Sequence, residues 1–380
     1  MTALGELGRR RRITSELTRP FHNIDSVLVG AIVALSLLGV LMVYSATRGA
    51  EPPFTSSYLV RQALFVAGGL VAMGVVALFD YRRLLNWAWV PYGVVMVALV
   101  AVLSPLGTTV NGAQRWFSVG PFTAQPSEFI KLALIIAIAA MLAGWQEDIG
   151  PGRILKVLAV VAAPSVLVMA QPDLGTVLQY LAMGLGMLLS GGVRARYLIV
   201  MVLLGVGLSV AVLTSDTLAD YQRDRLTSFI DPGIDAQGIT YNQNQSVTAV
   251  ASGGFAGQGL FDGPQTQLRF VPEQETDFIF TVVAEELGFV GGALVLGLFG
   301  VVCWRLWRIA RSCRDNFGYL LTGGVLIMLL FQLFSNVGMA IGIMPITGTA
   351  LPFISYGGSS ILTTLVSLGL ALSVGMRRFD

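Results

Sequence analysis

The sequence predicts an all-α polytopic membrane protein of ten transmembrane helices, with both termini cytosolic and one large extracytoplasmic loop between helices 7 and 8. Three observations predict it. The 380 residues are 54% hydrophobic and only 12% charged, with a mean hydropathy of +0.73, whereas a soluble domain carries about 25% charge. Ten apolar runs are long enough to cross the roughly 30 Å hydrocarbon core, which takes about 20 residues each. Threading the chain through ten spans puts 17 of the 24 basic residues on the side of the termini, and that excess assigns the side to the cytosol.

The length is therefore consumed by spans, and residues 26–380 form one membrane domain. Residues 1–25 are a basic tail containing Arg9, Arg10, Arg11, Arg12 and Arg19. The apolar run after it lacks a small-residue cleavage signature, so the tail leads into an uncleaved first helix. The expected spans lie near 26–46, 61–79, 87–105, 127–145, 154–171, 174–191, 196–214, 278–303, 317–343 and 353–375.

Composition also excludes chemistry. His22 is the only histidine, Lys131 and Lys156 are the only lysines, and neither CxxC nor HExxH occurs. Zinc, a Ser-His-Asp triad and a nucleotide-binding Walker A loop are thereby removed. Cys303 and Cys313 sit beside a basic cytosolic loop, where no disulfide is expected. Nothing points to nucleic acid.

The loop at 215–277 gathers the polar residues and a glycine cluster, SGGFAGQG at 252–259. Its interspersed Phe229, Tyr241, Phe255 and Phe270 argue against disorder and for short amphipathic pieces. The loop runs into VPEQETDFIFTVVAEELG at 271–288 and carries acids with it. On a helix, Glu285 lies roughly 12 Å deeper than Asp277. Ionisable groups at such depth face a bundle interior or a wet cavity and mark function. Helical spacing puts Asp277, Thr281, Gly288 and Gly292 on one face, Glu285 at its edge and Glu286 opposite. Asp277 also suits a helix N-cap.

Other candidates carry two readings each. Glu128 and Lys131 share a helix face in QPSEFIK, either as a dipole-favoured acid with a snorkelling lysine or as part of the cavity of Asp277. Asp173 in QPDLGT caps the helix after Pro172 or lines that cavity. Arg115 in NGAQRW follows an Asn-Gly turn, where an anionic headgroup can reach it. The external arginines Arg48, Arg61, Arg115, Arg223, Arg225 and Arg269 suit a diphosphate, which guanidinium binds bidentately, or pair with the acids of the loop. The glycine cluster reads as a phosphate nest or a flexible loop. MPITGTALPFISYGGSS at 344–360, which contains Ser355, breaks the membrane pattern, and irregular backbone is tolerated where it lines a cavity.

Six motifs in order, NGAQRW, QPSEFIK, QPDLGT, QSVTAVASGGFAGQG, QTQLRFVPEQETDFIFTVVAEELG and NVGMAIGIMPITGTALPFISYGGSS, resemble the shape, elongation, division and sporulation (SEDS) family. Within it, QTQL and QPDLGT resemble the rod-shape branch more than the division branch. The resemblance implies a bacterial inner-membrane, ten-helix peptidoglycan glycosyltransferase that polymerises lipid II during elongation. It implies a class B penicillin-binding protein as partner, with other elongation-complex membrane proteins. Asp277 matches the family's essential aspartate, and Glu128, Lys131 and Asp173 match positions around its cavity. One departure is Glu275-Thr276-Asp277 where the family reads His-Thr-Asp. In that chemistry a carboxylate base activates a sugar hydroxyl, and arginines, Lys131 or a divalent cation such as Mg2+ neutralise the leaving diphosphate. The alternative is a lipid II flippase or another polyprenyl-lipid transporter.

Overall fold

The protein is described by a computed structural model over residues 23–50, 52, 54–110, 113–119, 122–145, 149–214 and 239–378. The tail before residue 23, Arg223 and Arg225 lie outside these residues. Each of the ten apolar runs is helical. They are α1 (Ser26–Thr47), α2 (Ser57–Leu78), a pair α3 (Leu84–Trp87) and α4 (Trp89–Val102), α5 (Pro126–Ala143), α6 (Pro151–Met169), α7 (Leu174–Ser190) and α8 (Ala195–Thr214). After the large loop come α11 (Ile279–Ser312), α12 (Asn316–Ala340) and α13 (Gly358–Met376). The loop itself contributes α9 (Ile239–Ser252) and α10 (Pro264–Gln267), the short pieces its composition suggested.

Among the described residues, seven helices are long and apolar enough to cross a membrane. An eighth span arises if the pair Tyr81–Trp87 and Trp89–Val102, bent by 65°, counts as one. Leu174–Ser190 and Ala195–Gly205 are shorter apolar helices. This is a multi-pass membrane protein.

The helix ends are held by polar side chains, as a low-dielectric surround requires. Asp25 caps α1 by accepting from Leu28 N at 3.0 Å and pairs with Arg305 of α11 at 2.6 Å. Arg377, just past α13, donates to the carbonyls of Ala77 and Leu78 at 3.1 and 2.6 Å. A cation thus closes the negative end of α2. Asn23 meets Met376 O at 3.4 Å, which brings the two described ends of the chain together. Helix α13 is the most buried apolar segment and packs along α2 and against α5 and α12.

Two features depart from the expected pattern. Residues 108–124 form a three-stranded antiparallel sheet of β1 (Thr108–Val110), β2 (Ala113–Val119) and β3 (Phe122–Ala124), with Val110 paired to Ala113 and Phe117 to Ala124. An Asn-Gly pair between β-prone runs is the hairpin signal that accounts for the first turn. The second departure is in α11, which is broken at Gly288 (φ 65°, ψ −162°). The single helical face drawn from Asp277 to Gly292 is therefore wrong: Asp277 precedes the helix, which starts at Ile279, and Gly288 resets the phase.

The glycine cluster fills that break. Gln258 N and Gly259 N donate to the carbonyls of Glu285 and Glu286 at 2.9 and 3.1 Å, while Phe289 N and Val290 N donate to Gly254 and Phe255 at 2.9 and 3.2 Å. Four backbone groups freed by the break are thus satisfied by another segment, the condition for non-helical backbone at membrane depth. A Cβ on Gly257 would stand 2.1 Å from Glu286 O, and one on Gly288 would stand 2.3 Å from Gly257 N. The cluster is a backbone wedge, which replaces both the nest and the flexible-loop readings.

Candidate functional site

A cavity of about 440 Å³ opens where β2, the starts of α5 and α7, the turn before α11 and the segment 348–360 meet. Arg115, Glu128, Lys131, Asp173 and Asp277, separated by up to 162 positions in sequence, all line it. The bland alternatives for Glu128, Lys131 and Asp173 are therefore incomplete.

Asp277 is presented by a tight turn rather than a helix cap. The backbone N–H groups of Thr276, Asp277 and Phe278 all donate to Glu273 O, at 3.2, 3.1 and 3.3 Å. From α12, Asn336 donates to Asp277 O at 2.7 Å and to Thr349 O at 2.8 Å. Ser355 donates to Thr276 O at 2.6 Å and accepts from Leu351 N at 2.7 Å, and Tyr356 N donates to Glu275 O at 2.8 Å. The irregular segment after α12 thus grips the turn from one side. Gly348, at φ 68°, lies so close that a Cβ there would be 3.3 Å from Asp277 Oδ2.

Two cations line the cavity together with Asp277, each paired with another carboxylate. Lys131 is 2% exposed and pairs with Glu128 at 2.6 Å, one turn earlier on α5. Burial at that level demands a partner, because an ammonium stripped of water without one costs several kcal/mol, about 3–5 for a broken buried pair. Arg115 donates through Nε to Gln171 O and through Nη2 to Pro172 O, both at 2.6 Å, and its Nη1 lies 3.6 Å from Asp173 Oδ2. Asp173 serves twice, since its Oδ1 also accepts from Thr176 N at 3.1 Å as the N-cap of α7. β2 holds the guanidinium over the α6–α7 junction.

Other expected site residues sit elsewhere. Arg269 does not line the cavity; it donates to Thr47 O at 3.4 Å, and Gln274 donates to Ala46 O at 2.8 Å, so both tie the loop to the end of α1. Ser355 acts through the Asp277 turn and does not line the cavity either. The deep acids also have structural partners. Glu285 accepts from Gln265 N, Thr266 N and Thr266 Oγ1 at 2.7, 2.9 and 2.7 Å, and Glu286 accepts from Ser45 Oγ at 2.5 Å. Of the three acids entering α11, only Asp277 reaches the cavity.

Sequence reasoning missed Gln179 and Gln332, each 1% exposed and lining the cavity. Gln179 Nε2 and Gln332 Oε1 have no hydrogen-bond partner among the described residues. Their periodicity on α7 and α12 is the only signal: Gln179 lies one turn after Thr176, and Gln332 one turn before Asn336. Glu273 and Tyr356 also line the cavity, whereas Glu275 does not.

Among the described residues no three His, Cys, Asp or Glu side chains converge on one point, and Glu128 and Asp173 already face cations.

Residues 26–379 match the family described as FtsW/RodA/SpoVE, cell cycle protein. Stage V sporulation protein E of Bacillus subtilis is 36% identical, over 95% of this chain and 98% of its own. The peptidoglycan glycosyltransferase MrdB of Escherichia coli K12 is also 36% identical, over 94% of each chain. Among solved structures, the rod shape determining protein RodA of Thermus thermophilus superposes with a TM-score of 0.70 at 30% identity, over 94% of this chain and 98% of its own. A chain of a peptidoglycan synthase complex, described as coordinating polymerization and crosslinking, gives a TM-score of 0.81 at 32% identity, over 94% and 99%.

Proposed function

The chain belongs to the FtsW/RodA/SpoVE family and is a peptidoglycan glycosyltransferase, and from that premise we propose that it polymerises lipid II with Asp277 as general base. The observation that carries the assignment is one cavity that gathers the Asp277 carboxylate with two anchored cations, Lys131 and Arg115. Lipid II presents a sugar diphosphate at the membrane surface with its polyprenyl tail in lipid. Its enzyme needs a polar cavity at the rim of a membrane bundle.

In the reaction, the 4-hydroxyl of one sugar attacks the anomeric carbon of the growing strand. The C–O bond to undecaprenyl diphosphate breaks with inversion, and Asp277 takes the hydroxyl proton as the new glycosidic bond forms. A diphosphate leaves as an anion, so it requires charge rather than a proton. Lys131 and Arg115 supply that charge from fixed positions, which avoids reorganisation during the reaction. Gln179 and Gln332 offer hydrogen bonds to sugar hydroxyls or amides. We propose that any Mg2+ arrives on the substrate diphosphate, and no step above depends on it.

The two short apolar helices complete ten spans in this reading, and the juxtaposed ends of the chain lie on the Arg-rich cytosolic side of the bacterial inner membrane. The chain is one membrane domain. Its role is elongation, with a class B penicillin-binding protein crosslinking the product alongside other elongation-complex membrane proteins. The test is polymer formation from labelled lipid II by purified protein with its cognate transpeptidase, comparing wild type with Asp277→Asn. A loss of about 10²-fold or more in a folded variant is expected. Full activity in Asp277→Asn would remove the general-base role.

A further inference from the structure

A second cavity, of about 740 Å³, lies where the end of α11 turns into α12. Arg311 and Arg314 form its mouth, together with Trp307, and Leu326 and Ile327 of α12 form its inner wall. The Arg311 guanidinium stacks over the Trp307 ring, 4.9 Å from its centroid.

Two observations about this cavity are unused by the glycosyltransferase reading. First, neither Arg311 nor Arg314 has an ion-pair partner among the described residues. The one acid in the lining, Asp315, is committed inward: it accepts from Gly318 N at 2.7 Å, from the Tyr81 hydroxyl and from the Cys313 thiol at 3.4 Å. The mouth therefore keeps its positive charge. Second, the apolar wall continues along α12. Ile327 is followed at helical spacing by Leu330 and Phe334, 46% and 59% exposed. Positions three and four apart on a helix form one stripe, so an apolar track runs from the arginines towards the membrane centre.

We propose that this cavity binds an anionic phospholipid, with the headgroup phosphate on Arg311 and Arg314 and an acyl chain along Leu326, Ile327 and Leu330. The charge selects an anion, and the adjoining apolar stripe selects one that carries hydrocarbon. A water-soluble acidic peptide would satisfy only the first. Basic pockets between transmembrane helices on the cytosolic side are suited to such headgroups, and the Arg311–Trp307 stack holds the guanidinium at interface level before the lipid arrives.

The experiment is native mass spectrometry of the full chain released from nanodiscs of phosphatidylcholine doped with phosphatidylglycerol of the same acyl chains. Retention of phosphatidylglycerol over phosphatidylcholine by about tenfold is expected for the wild type. The variant R311Q/R314Q should lose most of that preference, whereas R308Q, on the same helix but outside the lining, should keep it. Ile327→Trp, which fills the wall and leaves the charge, should lower retention as well. Equal retention of the two lipids, or a preference unchanged in R311Q/R314Q, would overturn the proposal. So would arginine-dependent binding of a poly-glutamate peptide with no lipid preference, which would assign the mouth to an acidic protein segment. The readout is lipid retained per chain, so it stands apart from any failure of polymerisation.

Discussion

The side-chain amide of Asn336 donates to the main-chain carbonyl of Asp277 at 2.7 Å and to that of Thr349 at 2.8 Å. One residue of α12 thereby fixes the distance between the carboxylate-bearing turn and the loop that faces it. Replacing Asn336 by Leu, similar in size, removes both donors and leaves two buried carbonyls unpaired, at about 1–3 kcal/mol each. The expected result is a fall in polymerisation rate of roughly tenfold or more, with a smaller change in substrate KM. Steady-state kinetics on labelled lipid II separates the two. A rate equal to wild type would show that the turn holds its position without α12.

Gly348 offers a sharper probe because it touches the carboxylate rather than the backbone. Its φ of 68° is one that a side chain enters at a cost, about 1–2 kcal/mol, and a Cβ would stand 3.3 Å from Asp277 Oδ2. Gly348→Ala should lower activity more than it lowers thermal stability, since the methyl group occupies space beside the Asp277 carboxylate. Polymer yield and the melting midpoint of the detergent-solubilised protein, measured on one preparation, give the comparison.

Charge at depth made much of this site legible in the sequence, and the same signal misled where it was pressed too far. Lys131, Glu128, Asp173 and Asp277 stand out because an ionisable group in an apolar run is costly unless something compensates it. That rule says a partner exists without saying which. Glu285 satisfies it with the N–H groups of Gln265 and Thr266 and the Thr266 hydroxyl, and so belongs to the scaffold. Asn336, Gln179 and Gln332 carry no charge, and their partners or neighbours lie on other segments of the chain, so nothing local sets them apart. The helical character of the apolar runs was readable from hydropathy, but the break at Gly288 was not. It depends on a glycine wedge 29 to 36 positions upstream that only the fold brings beside it.

The wedge makes its own prediction. Gly257→Ala forces a Cβ to within 2.1 Å of Glu286 O, a distance no rotamer change relieves because both atoms are tied to backbone. Strain of this kind typically costs 1–3 kcal/mol. The variant should melt earlier than wild type and become more sensitive to proteolysis in the 252–270 region. Gly68→Ala, on α2 with nothing within 4 Å of the added methyl, is the matched control and should be neutral. Equal melting of the two would mean that the loop detaches from α11 without consequence.

Glu285 distinguishes scaffold from catalysis most directly. Its carboxylate, fully buried, receives three hydrogen bonds from Gln265 and Thr266 of α10, and none of these residues lines the cavity. Glu285→Gln keeps the shape and one acceptor oxygen but places an amide N–H group against donors, whereas Glu285→Ala removes every acceptor. Hydrogen bonds to a charged group are worth about 1.5–3 kcal/mol each, so the alanine variant should lose more stability than the glutamine variant. Because the group never enters the cavity, whatever fraction of either variant remains folded should polymerise lipid II at nearly the wild-type rate per active molecule. Normalising activity to the monodisperse fraction tests this. A folded Glu285→Gln that is inactive would return the second acid to the reaction and require the α10 contact to open during turnover.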